Sequence, residues 1–353
     1  MSDTIPNTNE PNGIVEIYGP ISFKQFYYQD GDSDADTVKI KVKVDSVRFR
    51  ANKNSPWMEN LHLFDDAFIG KTRVVSKKDR TMNVRLQGID APELHYQAQR
   101  RGLPLSPEQK KKWINKRFRQ HWGARSVYEL ERFLKPYVKS GVIENAYVFS
   151  RVDHPNDVFD VYGRFVGDII VSRDSNGTNR RNINQWLAGQ GWAFPTFYNS
   201  MTSKEIRILD KNGRNAQKNA KGIWKALSNT IAPFDPKLHT PRGKNVPRID
   251  HKTDKGRLNL PKVFRRQIDF EVRKKANVTN ELSLSKYIKS KKKDKCYLTK
   301  DFLVRGANAK LRHLSEFVNT NGKINFKPRE LTFLEDLSSV LKDSKGKKIE
   351  KWE

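Results

Sequence analysis

The sequence predicts an α+β protein: a small sheet of strongly bent strands that closes on itself, about three helices packed against it, and a basic, mostly helical C-terminal module. Three observations predict this. Val38, Ile40, Val42 and Val44 alternate with Lys39, Lys41 and Lys43, the period of two that marks a half-buried strand. The phase shifts at Asp45-Ser46 to Val47 and Phe49, as it does where a bulge bends and twists a strand. Further on, Val127, Leu130 and Leu134 stand at helical spacing.

Taken in order, residues 1–13 are polar, with Pro6, Pro11 and Gly13, and read as a disordered lead-in. Further strands are expected over Met82–Ile89, Val142–Phe149 and Phe159–Val171, each bounded by Gly, Asn or Asp turn chemistry. Ser106-Pro107-Glu108 has the form of a helix N-cap followed by Pro at the first helical position. Trp122 to Leu134 forms the next helix, ended by Pro136. A third runs from about Asn182 to near Gly189, and a fourth from about Ser203 to Lys221, weakened by Gly213. Residues 228–261 carry Pro233, Pro236, Pro241, Pro247 and Pro261 among many charges and read as a Pro-rich basic linker. From Lys262 apolar residues return, enough for a small, mostly helical domain over 262–353.

Charge bounds the partners. Of 353 residues, 68 are Lys or Arg and 40 Asp or Glu, a net charge of +28. A field of that size points to a polyanion. Residues 228–353 hold 31 basic against 15 acidic residues, so +16 lies there and +12 in residues 1–227. No apolar stretch reaches the roughly 18 residues of a membrane helix, so no membrane partner is expected. The N-terminus lacks a basic start followed by an apolar run, and a cytoplasmic location is expected. One cysteine, Cys296, excludes an internal disulfide and a Cys-based zinc site. Neither a phosphate-cradling G-x-x-x-x-G-K loop nor an H-E-x-x-H zinc pattern occurs.

Carboxylates and arginines concentrate in three stretches at the ends of strands: Asp34-Ala35-Asp36-Thr37, then Arg85 through Asp90-Ala91-Pro92-Glu93, then Asp160-Val161-Tyr162-Gly163-Arg164. Together, in this order, they resemble the active site of the staphylococcal nuclease family, with its D-x-D-T turn, R-(x)4-D-x-P-E segment and D-x-Y-G-R turn. Asn184 to Ala193 resembles that family's N-x-x-L-(x)2-Q-G-x-A helix and turn, and Ala216 to Trp224 its closing helix. The resemblance covers about residues 14–227, with insertions at 51–80 and 95–121. It implies a five-stranded OB-like barrel and a metal-dependent nuclease that acts on DNA and RNA with little base specificity and leaves 3′-phosphates. A catalytically silent nucleic-acid-binding scaffold is the alternative.

The resemblance also assigns roles. Ca2+ would be held by Asp36, Asp90 and the backbone carbonyl of Ala91, with Mg2+ as the other candidate; carboxylate oxygens suit such hard cations. Glu93 would hold or deprotonate the attacking water. Arg85 and Arg164 would clamp the phosphate, whose geometry a planar fork of donors matches better than an ammonium does. Two positions depart from the family: Ala35 replaces a Gly, and Val161 stands where a phosphate-touching Lys is common. Asp34 is either a partner of the metal side or a solvated loop residue.

Outside the motifs, Lys110, Lys111, Lys112 and Trp113 belong to a stretch, 100–119, with eight Lys or Arg and one Glu. It either tracks a phosphate backbone with Trp113 stacking on a base, or is a solvated basic face docked by Trp113. Phe197 or Tyr198 would stack on substrate, with core packing the competing role. Tyr162 is either structural in its turn or turned to ligand, and His95 either nears the phosphate or is a surface residue. Lys291, Lys292 and Lys293 form a phosphate-seeking run. A protein partner for the C-terminal region is a further possibility that no residue identifies.

Overall fold

The structure is a computed structural model that describes residues 13–18, 21–22, 34–42, 47–50, 56, 58–59, 64, 66–99, 105–152, 155–173, 179–240, 249–279, 283–335 and 340–350. The expected lead-in before Gly13 and the bulge at Asp45-Ser46 lie outside these residues.

Its centre is a mixed sheet. In chain order the main strands are β1 (Gly13–Tyr18), β2 (Thr37–Lys41), β3 (Val47–Arg50), β4 (Thr81–Leu86), β5 (Ile89–Asp90), β6 (Ala146–Val152) and β7 (Phe165–Val171); β5 pairs with Phe194–Pro195 in a sheet of its own, and the others belong to the central one. β2 lies antiparallel to β4, with Thr37 opposite Arg85. β4 runs parallel to β7, with Val84 opposite Phe165. β7 then pairs antiparallel with β6, β6 with β1, and β1 with β3. Alternation does what the sequence predicts: Val38, Ile40, Val84, Leu86, Val148, Phe165 and Ile169 are all buried on the inner face. Among the described strands the path stays open: β2 continues through Ile21–Ser22 to Val142–Ile143 at one end, and β3 pairs with Met58–Glu59 at the other. Among the described residues the expected closed barrel is therefore corrected to an open sheet, whose outermost strands, Val142–Ile143 and Met58–Glu59, do not pair with each other.

The helices cover this sheet. α1 (Gly123–Leu134) stops at Leu134, and Pro136 falls in the short 3-10 turn that follows. α2 (Ile183–Gln190) is capped by Asn182, whose side chain accepts from Gln185 N at 3.0 Å. It ends at Gly191 rather than Gly189, because Gly191 is the residue with φ +73° that a left-handed C-cap needs. α3 (Ser203–Lys218) opens on a capping box between Thr202 and Glu205. It runs unbroken through Gly213, where a side chain would run into the Pro195 ring against which the helix packs.

Beyond residue 227 the chain stays on the molecule. His239–Thr240 pairs with Arg117–Phe118, and Leu258 and Leu260 are buried. Asn259 accepts from Ala232 N at 2.9 Å and donates to the carbonyls of Ser228 and Thr230 at 3.2 and 3.0 Å. The described part of the expected linker is thus a packed belt. It leads into α4 (Pro261–Lys275), α5 (Leu284–Lys289) and α6 (Thr299–Arg305). The region is mixed rather than mostly helical, since open sheet edges recruit extended segments. Leu331–Phe333 adds in parallel to Phe197–Tyr198 and antiparallel to Lys295–Leu298, while Leu341–Lys342 pairs with Phe68–Ile69. Tyr297, Phe302 and Leu341 are buried in the same apolar core as Leu86 and Phe197.

Candidate active site

Asp36 sits just before β2 and is buried. Its carbonyl accepts from Leu86 N at 2.8 Å, and its carboxylate accepts from Ala91 N at 3.0 Å and the Thr37 hydroxyl at 3.1 Å. The second stretch is thereby tied to the first. Asp34 joins them: its Oδ1 accepts from Leu94 N at 2.7 Å and stands 3.5 Å from His95 Nδ1. It is therefore part of the acid cluster and not a solvated loop residue. Glu93 is buried, and its N–H donates to Gln120 Oε1 at 3.2 Å.

The third stretch is a turn held by its own carboxylate. Asp160 accepts from the N–H groups of Tyr162 and Arg164 at 2.9 and 3.0 Å and from Arg164 Nε at 2.7 Å. Gly163, at φ +79°, makes the turn possible. Arg164 Nη1 then reaches Thr37 Oγ1 at 3.2 Å. Because Thr37 is opposite Arg85 across the β2–β4 pair, strand register brings the two arginines to one place. Arg85 Nη2 is buried, makes no hydrogen bond among the described residues, and lies 3.5 Å from Asp90 Oδ1.

A residue that sequence reasoning missed completes the cluster. Arg265, on α4, donates from Nη1 to Asp90 Oδ1 at 3.2 Å and from Nη2 to Asp90 Oδ2 at 3.1 Å. Nη1 also donates to Glu93 Oε1. Asp90 is fully buried between two guanidiniums. No local signal points to this contact, since 175 residues separate its partners.

Burial sets the protonation of the cluster. It pushes Glu93 up to about 8, reinforced by Asp34, Asp90 and Asp36 and opposed by Arg265. It likewise pushes Asp34 up to about 7, with Asp36 adding to the effect. Four carboxylates against two buried guanidiniums leave a surplus of negative charge, which proton uptake relieves.

Beside the cluster lies a cleft of about 250 Å³ lined by Arg85, Arg164, Lys262, Arg266 and Lys293, by Tyr162 and Tyr198, and by the carboxylates Asp160, Asp294 and Glu335. Its cations come from both halves of the chain. Tyr162 is 70% exposed there, with the Arg164 guanidinium 5.5 Å from its ring centre. Tyr198 lines the cleft, whereas Phe197 is fully buried in the core, where it takes the competing role of core packing and cannot reach a ligand. Asp90, Glu93 and Arg265 do not line this cleft.

The other basic candidates are not brought here. Lys110, Lys111 and Lys112 are exposed, and Trp113 packs on the cluster of Ile114, Phe118, Ile268 and Val272, with Lys112 5.5 Å from its ring centre. Lys291 lies over the Tyr287 ring at 4.3 Å and Lys292 is exposed; of that run, Lys293 alone lines the cleft.

The donor chemistry of Asp36, Asp90, Ala91 and Glu93 is of the hard kind that Ca2+ takes. As arranged, however, the residues do not fit such an ion, because both oxygens of Asp90 and Oε1 of Glu93 are held by Arg265. Among the described residues no group of three or more His, Cys, Asp or Glu side chains converges as a metal centre.

Residues 83–226 match a family model described as staphylococcal nuclease homologue. The matched stretch contains Arg85, Asp90, Ala91, Glu93 and Arg164 and begins after Asp36. No curated protein matches the chain. This segment is thus staphylococcal nuclease-like, as the three motifs predict, and it points to a nuclease or nucleic-acid-binding function.

Proposed function

We propose that the protein hydrolyses phosphodiester bonds of DNA or RNA with little sequence preference, leaving 3′-phosphates. The observation that carries this is the convergence of Arg85 and Arg164 on one cation-lined cleft, next to buried Asp90 and Glu93. Phosphodiester hydrolysis needs the charge on phosphorus neutralised and a water activated. Arg85, with a buried donor that lacks an acceptor, and Arg164 bind the non-bridging oxygens. Lys262 and Lys293 hold neighbouring phosphates, and Tyr198 stacks on a base. Glu93, whose raised pKa suits a base working near neutrality, takes the proton from the attacking water through Oε2. No step is routed through a metal ion.

Cleavage of single- and double-stranded DNA and RNA, with Ca2+, Mg2+ or EDTA, tests the reading. Glu93→Gln and Arg85→Ala should each lower the rate by about 10²-fold or more. Glu93→Gln cleaving as fast as wild type would refute it. One observation favours a second reading, a silent nucleic-acid-binding protein: Arg265 holds Glu93, which does not line the cleft. Tight oligonucleotide binding without cleavage in any of these conditions would establish that reading.

A further inference from the structure

We infer that Arg265 stands where a divalent cation would otherwise sit, so that guanidinium and metal exclude each other at this site. The inference rests on the reading of Asp36, Asp90 and Glu93 as the acid site of a nuclease.

The geometry is that of a built-in counter-ion. A guanidinium presents two parallel N–H groups, and a carboxylate two oxygens, so the pair forms a fork on a fork. Arg265 makes that pair with Asp90 at 3.2 and 3.1 Å and extends Nη1 to Glu93. Asp90 is fully buried and cannot swing to solvent to offer an oxygen elsewhere. Ca2+ requires six to eight oxygen ligands, and two of the side chains that would supply them are committed to Arg265.

Arg265 is not carried on a loose flap. On the same helix, Val263, Ile268 and Val272 are buried. Asp269 accepts from Gln99 N at 3.0 Å and from the Tyr96 hydroxyl at 3.1 Å. Arg266 forks onto Asp294 at 2.6 and 2.7 Å, and Gln267 donates to the Ala232 carbonyl at 2.6 Å. These contacts fix α4 on both sides of residue 265. Entry of a metal ion would have to expel a buried guanidinium from a docked helix. The basic C-terminal region therefore does more than raise affinity for a polyanion; it supplies the cation of the acid site.

Calorimetric titration of the full-length protein with Ca2+ and with Mg2+ tests this, alongside Arg265→Gln and Arg265→Lys and with thermal shift as a second readout. Wild type should show no saturable binding below about 1 mM, the weak end of protein Ca2+ sites. Arg265→Gln should gain a site at least tenfold tighter, and adding Asp36→Asn should remove it. Equal affinity in wild type and Arg265→Gln overturns the inference, as does the absence of any gain. If Arg265→Gln does not fold, two measurements still decide. Arg265→Lys, which cannot fork onto both Asp90 oxygens, should bind the ion better than wild type; saturable binding by wild type that Asp36→Asn abolishes overturns the inference. Cleavage assayed in parallel separates the two readings. Wild type that cleaves nothing sinks the nuclease assignment and leaves the result of the titration standing.

Discussion

Lys262 faces the cleft with its ammonium 4.1 Å from the centre of the Phe333 ring. Burial pulls its pKa down to about 8; Asp294 and Asp90 oppose this, while Arg266 and Arg265 add to it. The ammonium is thus intact below pH 8 and lost as pH rises through that value. Binding of a non-cleavable oligonucleotide should weaken by about tenfold, or roughly 1.4 kcal/mol, between pH 7 and 9. In Lys262→Arg the loss should shrink, because a guanidinium stays charged, leaving the part that Glu93 contributes as it ionises near pH 8; an identical pH profile would assign the whole effect to Glu93. Residues such as Asp36, Arg85, Asp90, Glu93 and Arg164 were legible in the sequence because each lies in a short motif whose spacing follows from one turn or strand end. Lys262 and Arg265 were not, since their significance comes from the docking of a distant helix, and an arginine in a basic segment carries no mark of the acid it will meet.

Among the elements, α2 shows how a helix is bound to the sheet that carries the site. Asn184 is fully buried; its Nδ2 donates to the carbonyls of Gln87 and Gly167 at 2.9 and 3.2 Å, and its Oδ1 accepts from Ile169 N at 3.3 Å. Gln87 follows β4, which bears Arg85, so this amide fixes the strand as well as the helix. Asn184→Leu removes the side-chain partner of the Gln87 carbonyl and of Ile169 N–H in a dry place, while the Gly167 carbonyl still accepts from Gln87 N at 2.9 Å, and should cost about 2–4 kcal/mol. Thermal unfolding should show a fall in Tm of several degrees, and an unchanged Tm would remove Asn184 from this role. Alternation of Val and Lys made β2 readable, and the motif from Asn184 to Ala193 made α2 readable. The short strands at 197–198 and 331–333 were not, because two or three residues are too few to display a period, and their pairing is set by an edge elsewhere.

Across the whole molecule, the charge of +28 falls into three populations. Some cations are locked to carboxylates away from the cleft, as Arg265 is; some line the cleft, where Arg164 and Arg266 also hold Asp160 and Asp294; others, such as Lys110 to Lys112, are spread on an exposed face. Lys293→Ala should therefore lessen the slope of log binding constant against log salt by about one, whereas an unchanged slope would place its ammonium away from any phosphate. The division expected at residue 227 has a sharper test. A chain ending there loses Tyr297, Phe302 and Leu341 from the main core, together with the strand that pairs with Phe197–Tyr198. It should bind a hydrophobic dye and unfold without a cooperative transition, and a sharp transition with no dye binding would show that the first 227 residues stand alone. Composition drew the boundary where prolines and charges gather, yet buried Leu258, Asn259 and Leu260 lie inside that stretch.

The long span of the Arg265 contact bears on how the protein is born. Glu93 and Arg265 are 172 residues apart, and a ribosome delivers the acids first. Domains generally begin to fold in that order, N-terminal parts before the rest. Until the intervening chain has been added, Asp90 and Glu93 lack the guanidinium that later joins them. The finished cluster cannot form before α4 has been made. Its assembly is therefore timed by translation: the cluster acquires its built-in cation only once the ribosome has moved well past the segment that resembles a nuclease.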